Sequence, residues 1–218
     1  MKNIAVLVSG GGTNLQALID AQGRGELING RITAVISSTP GAYALERAKA
    51  AGIPGYVAAR KDYPSSQAMT AALVDKLKGL DIDLVVLAGF MVILTGEMVR
   101  AFPNAILNVH PALIPSFAGP GCYGLHVHEK ALEYGVKLSG ATVHFVSEEC
   151  DGGPIVSQKA VEVLPDDTSE VLQRRIMEQC EWQLLPQAVS LFCQDRLKVE
   201  GRTVRVLEHP EHGTRNAE

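Results

Sequence analysis

From Ile4 to His110 the chain alternates short β-branched apolar runs with stretches of helical spacing, and this rhythm limits the fold more than any other feature. "IAVLV" (Ile4 to Val8) precedes "LQALIDA", whose Leu15, Leu18 and Ile19 share one helical face. "RITAVISS" precedes "YALERAKAAG", a helix closed by Gly52. "SSQAMTAALVDKLKGL", opening at a serine cap, leads into the strand "DLVVLAGF". "GEMVRAF" then leads into "NAILNVH". Strands apolar on both sides, separated by helices, predict an α/β fold: an open, mostly parallel twisted sheet with helices on both faces.

The rhythm changes at Lys137. "KLSGATVHFV" and "PIVSQKAVEVL" read as long strands joined by "EECDGG", an antiparallel pair at one sheet edge. A long amphipathic helix follows, with Asp167, Thr168 or Ser169 as its cap and Pro186 expected to kink or divide it. Residues 1–200 read as one domain, with halves of about 1–100 and 101–200, and 201–218 as a polar tail.

The net charge of −4 over 218 residues provides no basic field for nucleic acid. No apolar stretch approaches a membrane span, and Ile4 to Val8 is too short for a signal-peptide core. Cys122, Cys150, Cys180 and Cys193 show neither a CxxC pair nor zinc-ligand spacing, as expected of scattered thiols in a reducing cytosol. The expected location is cytoplasmic.

Two stretches carry chemistry. "SGGGTN" joins the first strand to the first helix, where an open α/β sheet binds its ligand. Neither the GxGxxG fingerprint nor the GK[ST] of a P-loop is present, because Leu15 occupies the third glycine position. The amides of Gly11, Gly12 and Thr13, with Asn14 beside them, suit a single phosphate monoester. A tight turn would need glycine on its own account, so the loop alone leaves both readings open.

In "ILNVHPALIPSF", Asn108 and His110 project from one face at the end of a buried strand. An amide donor beside an imidazole suits oxyanion stabilisation coupled to proton movement. A charged His110 needs a carboxylate neighbour, and Asp151 in "ECDGGP" is the candidate, although a turn alone would also favour aspartate there. "HVH" has same-face strand spacing, so His126 and His128, with His144 and Asp151, raise the question of zinc or iron. Such spacing is weak evidence for ligation, and no metal is expected.

"VLVSGGGTNLQALID", "VVLAGFMVIL", "ILNVHPALIPSF" and "GATVHFVSEECDGGPI" together resemble the folate-dependent formyltransferases that formylate glycinamide ribonucleotide in purine synthesis, in order from Ile4 to about Leu197. The resemblance implies 10-formyltetrahydrofolate as co-substrate, no metal, and only small-molecule substrates as partners, with a homodimer left open. It places Gly11, Gly12, Thr13 and Asn14 on the ribose phosphate and Glu181 on the ribose hydroxyls. It puts Ser66, Met91, Val92, Ile93, Leu94 and Asn108 at the folate, with the backbone of Ser147, Glu148, Glu149, Cys150 and Asp151 on the pterin. Asn108, His110 and Asp151 become the catalytic trio, with His144 in support.

Three departures accompany the resemblance. Val92 and Ser66 stand where arginines are common in the family, which removes two anchors for the folate glutamate tail; Arg60 or Lys61 are the nearby cations. The loop Ala118 to Leu125 is longer than usual, which loosens the correspondence at His126. A formyltetrahydrofolate hydrolase is the nearest alternative. It is expected to carry an N-terminal regulatory domain, whereas the first strand here starts at once. Methionyl-tRNA formyltransferase is expected to add a tRNA-binding domain. A phosphate-sensing module with a decayed site would not need the intact trio.

Overall fold

The computed structural model describes residues 1–208. Its first strand, β1 (Lys2–Val8), is buried from Ile4 onward and alternates between two apolar cores. Ile4, Val6 and Val8 enter one core and Ala5 and Leu7 the other, as the two-residue period of a strand requires. Helix α1 (Thr13–Gly23) follows, then β2 (Gly30–Ser37), α2 (Tyr43–Ala50) and β3 (Gly55–Val57). Helix α3 (Ser66–Gly79) leads to β4 (Leu84–Leu87), α4 (Gly96–Ala101) and β5 (Ile106–His110). Ser65 caps α3, its hydroxyl accepting from the Ala68 amide at 3.0 Å.

Helix α5 (Leu125–Tyr134) comes next, followed by the antiparallel pair β6 (Leu138–Phe145) and β7 (Ile155–Glu162). Gly153 between them must be glycine, since a Cβ there would lie 1.8 Å from the Phe145 carbonyl oxygen. Thr168 caps α6 (Ser169–Ile176), accepting from the Val171 amide. The chain then runs through a π-helical turn at Met177–Glu181 into α7 (Trp182–Cys193). The break expected at Pro186 therefore falls one turn earlier. Proline lacks the N–H that would bond the carbonyl four residues back, and the wider turn absorbs the misfit just before it.

The sheet order is β3-β2-β1-β4-β5-β6-β7, continued by β9 (Thr203–Val206) and β8 (Leu197–Glu200). Strands β1 to β5 pair parallel, and β5–β6 and β6–β7 antiparallel. The boundary at residue 200 is corrected by this hairpin. Residues 203–206 pair with β8 and meet β7 at Ile155, while Leu197, Val199 and Val204 pack on the larger core. The alternation in "LKVE" and "TVRV" was too short to stand out from a polar tail. The rest of that tail, 209–218, lies outside the described residues.

After β1 the chain winds outward through β2 and β3, then returns to place β4 on the other side of β1. The carboxyl ends of β1 and β4 therefore flank a topological switch point, where doubly wound sheets open a ligand crevice. "SGGGTN" and "GFMVIL" are the loops that leave those two ends.

Candidate active site

On one side of the crevice, Gly12 sits at φ 73°, a left-handed conformation that glycine adopts without cost. A Cβ there would lie 2.6 Å from the Ala44 Cβ, so α2 packs directly on the turn. Gly10 and Gly11 differ: among the described residues a Cβ on either meets nothing within 4 Å. Their lack of a side chain serves no packing need, and it leaves an open cradle in front of the α1 N-terminus. The Gly10 carbonyl accepts from the Ala44 amide (3.1 Å) and the Gly11 carbonyl from Arg47 Nε (2.8 Å). With both carbonyls engaged by α2, the polar groups left to the cradle are N–H donors, which suit an anion.

Asn14, buried at the start of α1, donates from Nδ2 to Glu181 Oε2 at 2.6 Å. Among the described residues its Oδ1 is buried without a partner. Glu181 is 5% exposed, and burial pushes its carboxyl up to about 7 against the opposing hydrogen bond from Asn14. Two residues 167 positions apart are thus brought together beside the glycine cradle, Glu181 by the π-helical turn.

The switch-point loops are tied to each other. Ser9 Oγ accepts from the Met91 amide (2.8 Å) and hydrogen-bonds the Ser38 hydroxyl (2.6 Å). Along Met91 to Leu94 exposure alternates: Met91 and Ile93 face outward, while Val92 and Leu94 pack on the smaller core. Ser66 opens α3 and hydrogen-bonds Arg60 Nε at 3.3 Å. One turn along the same helix, the Thr70 hydroxyl accepts from the Thr95 amide, directly after Leu94. Ser147, Glu148, Glu149 and Cys150 form the turn after β6, half-buried at Ser147 and exposed beyond it, and Glu148 is paired with Arg100 at 2.8 Å.

Leu7, Leu87, Asn108 and His144 stand in one row across four neighbouring strands. At the spacing of sheet strands this puts Asn108 about 10 Å across from β1. Asn108 Nδ2 lies 3.1 Å from His144 Nε2, and His144 Nδ1 lies 2.9 Å from the Phe145 carbonyl. A carbonyl only accepts, so Nδ1 carries a proton and donates to it, and Nε2 is the ring atom that meets the Asn108 amide. One N–H of the amide remains for another acceptor.

His110 is 4% exposed, and its Nε2–H donates to the Phe117 carbonyl at 2.8 Å. Its Nδ1 faces Asp151 Oδ2 at 3.7 Å, and His144 Nε2 faces Asp151 Oδ1 at 3.7 Å. Asp151 adopts φ 53°, uncommon for a residue with a side chain, and its Oδ2 accepts from the Gly119 amide at 2.9 Å. Burial works to raise the Asp151 carboxyl. The His144 ring, the Gly119 N–H and the His110 ring together overcome it and hold the group at about 2.

One expectation is corrected here. Asp151 does not keep His110 charged in the free protein. Burial lowers the imidazole below its ordinary 6.5 and outweighs the upward pull of Asp151 and the Phe117 carbonyl, with His144 adding to the fall. At 3.7 Å the carboxylate is beyond hydrogen-bond length, which is why burial prevails.

His126 and His128 lie not on a strand but on α5, two positions apart and so facing different ways. His126 is exposed and bonded to Glu129 (2.8 Å), whereas His128 is fully buried, with burial and His110 lowering it to about 4. No group of three or more His, Cys, Asp or Glu side chains among the described residues is placed to hold a metal ion. Sequence reasoning missed the Phe117 carbonyl, the Gly119 amide, Ser9 and Arg47. Backbone groups leave no mark in a sequence, and Arg47 is hidden in an ordinary polar helix face.

The formyl transferase family model matches residues 2–189. Phosphoribosylglycinamide formyltransferase of Haemophilus influenzae is 45% identical over 200 residues, covering 92% of this chain and 91% of that one. The crystal structure of glycinamide ribonucleotide transformylase 1 from Symbiobacterium toebii superposes with a TM-score of 0.90 at 48% identity, over 95% of each chain. A formyltetrahydrofolate deformylase from Pseudomonas syringae superposes with a TM-score of 0.83 at 27% identity, over 95% of this chain and 66% of the other.

Proposed function

The chain belongs to the formyl transferase family, and we propose that it moves the formyl group of 10-formyltetrahydrofolate to the amine of glycinamide ribonucleotide in purine synthesis. The observation that carries this reading is the gathering of Asn108, His110, His144 and Asp151 at the carboxyl end of the sheet. The open glycine cradle lies across the same edge. The first group suits acyl transfer and the second a phosphate monoester. A deformylase would need the first and not the second.

The ribose phosphate would sit on the amides of Gly11, Gly12 and Thr13, with Asn14 and Glu181 at the ribose. The exposed side chains of Met91 and Ile93 would cover the folate, and the turn from Ser147 to Asp151 its pterin. Arg60, brought onto Ser66, supports a hold on the glutamate tail in a chain with Val92 and Ser66 where family arginines are common.

The ribonucleotide amine attacks the formyl carbon, a C–N bond forms, and the carbonyl electron pair moves onto oxygen. That oxyanion has two donors in reach of one side of the sheet: the free N–H of Asn108 and Nε2–H of His110. In the free protein the Phe117 carbonyl takes the His110 donor, so it stands in for the oxyanion. The amine gives up a proton, for which His110 Nδ1, bare and facing the ionised Asp151, is the acceptor. Collapse breaks the bond to the folate nitrogen, which leaves with the proton that His110 has taken from the amine. Preorganised donors of this kind contribute about 10²–10³ in rate each, and holding two substrates together contributes the remainder.

Carbon-13 placed in the formyl group of the folate tests the reading. With the ribonucleotide present, the label should appear in a formamide of the product. Label recovered as formate, with or without ribonucleotide, would instead establish the deformylase.

A further inference from the structure

The loop that carries the Phe117 carbonyl is fastened by two side chains with no role in the scheme above. Thr142, fully buried on β6, stands directly opposite His110, and Gln158 on β7 stands directly opposite Thr142. The three therefore share one face of the sheet. The Thr142 hydroxyl donates to the Ala112 carbonyl at 2.7 Å and accepts from the Ile114 amide at 3.1 Å and Gln158 Nε2 at 2.9 Å. One donor and two acceptors are all that a hydroxyl has. Gln158 Nε2 spends its second N–H on the Ile114 carbonyl at 3.0 Å. Three backbone groups of the segment 112–114 are thus held by the Thr142 hydroxyl, whose capacity is used in full, and by the Gln158 amide, both of whose N–H groups are spent.

That segment ends on the catalytic ring. The Ser116 amide bonds the Leu113 carbonyl at 3.0 Å, Phe117 turns at φ 50°, and its carbonyl takes His110 Nε2–H. Two residues later the Gly119 amide reaches Asp151. The chain from Ala112 to Gly119 is anchored by Thr142 and Gln158 at its start and by His110 and Asp151 at its end. Strand pairing does not need this arrangement, since β6 and β7 are joined through their backbones.

We propose that Thr142 and Gln158 are positioning residues for His110: by fixing residues 112–114 they place the Phe117 carbonyl, and so hold the imidazole as its Nε2–H tautomer with Nδ1 toward Asp151. The expected effect on turnover rests on the formyl-transfer reading; the tautomer itself does not. The opposite tautomer would put a proton on Nδ1 and leave Nε2 without a hydrogen to donate.

Nitrogen-15 histidine NMR on the full chain reads the tautomer directly. Wild-type His110 should show the Nε2–H pattern. Gln158→Leu and Thr142→Val should mix in the Nδ1–H form and lower kcat by about ten- to a hundredfold, the scale of a small misplacement of a reacting group, with KM for the ribonucleotide unchanged. Thr142→Ser keeps the hydroxyl and should restore both. If Gln158→Leu and Thr142→Val lower the melting temperature and leave the His110 signals as in wild type, the pair is only structural and the proposal is overturned. A shifted tautomer with unchanged turnover would uphold the positioning and count instead against a role for His110 in formyl transfer.

Discussion

At the residue scale the site turns on one buried imidazole. Asn108 and His110 were legible in the sequence because a strand end fixes which side chains share a face, and Asp151 because a glycine-rich turn can send a carboxylate inward. The distance between ring and carboxylate was not legible, and it decides the charge. Asp151 raises the His110 pKa while burial lowers it more. Asp151→Asn should therefore drive the pKa of His110 further down, read by NMR titration of its ring; an unchanged or higher value would show that the carboxylate does not act on the ring. Glu181 provides a second titration. Its folded value of about 7 lies above that of an unfolded glutamate. Its stability contribution is full below the unfolded value and is lost as pH rises through about 7. Relative to Glu181→Gln, the wild type should be more stable at acid pH and less so at alkaline pH in urea unfolding. A difference independent of pH would contradict the buried carboxyl.

At the scale of elements, the glycine turn separates two demands that the string "GGG" leaves mixed. Gly12 answers to conformation and packing, Gly11 to the space in front of it. Gly12→Ala should destabilise the protein, since left-handed backbone costs a side-chain-bearing residue about 1–2 kcal/mol and α2 blocks the added methyl besides. Gly11→Ala should melt like wild type and raise KM for the ribonucleotide, because its methyl enters the cradle. A normal KM in a stable Gly11→Ala protein would place the phosphate elsewhere. The strand-helix alternation up to β5 was legible because parallel strands are buried on both faces. "HVH" was misread because a two-residue spacing cannot tell a strand face from opposite sides of a helix. The π-helical turn at Met177–Glu181 leaves no periodicity of its own, yet it carries Glu181 to Asn14.

For the whole molecule, the order β3-β2-β1-β4-β5-β6-β7 brings the cradle, the Met91 segment and the Asn108 row to one edge. The fold class followed from the pattern of apolar runs. The order of strands did not, because it depends on which side of β1 each crossover takes. The outer hairpin of β8 and β9 extends the sheet away from that edge and adds to the core, and its turn reaches the segment after β6, where Arg202 lies 4.0 Å from Glu149. On the proposed function, this edge carries out a reaction between two bound substrates, with His110 as a donor to the developing charge. The most direct measurement follows folate release from 10-formyltetrahydrofolate by absorbance, with and without glycinamide ribonucleotide, in the wild type and in His110→Ala. Release should require the ribonucleotide, and His110→Ala should lower its rate by about 10²–10⁴. Release without the ribonucleotide, or an undiminished rate in His110→Ala, would contradict the account.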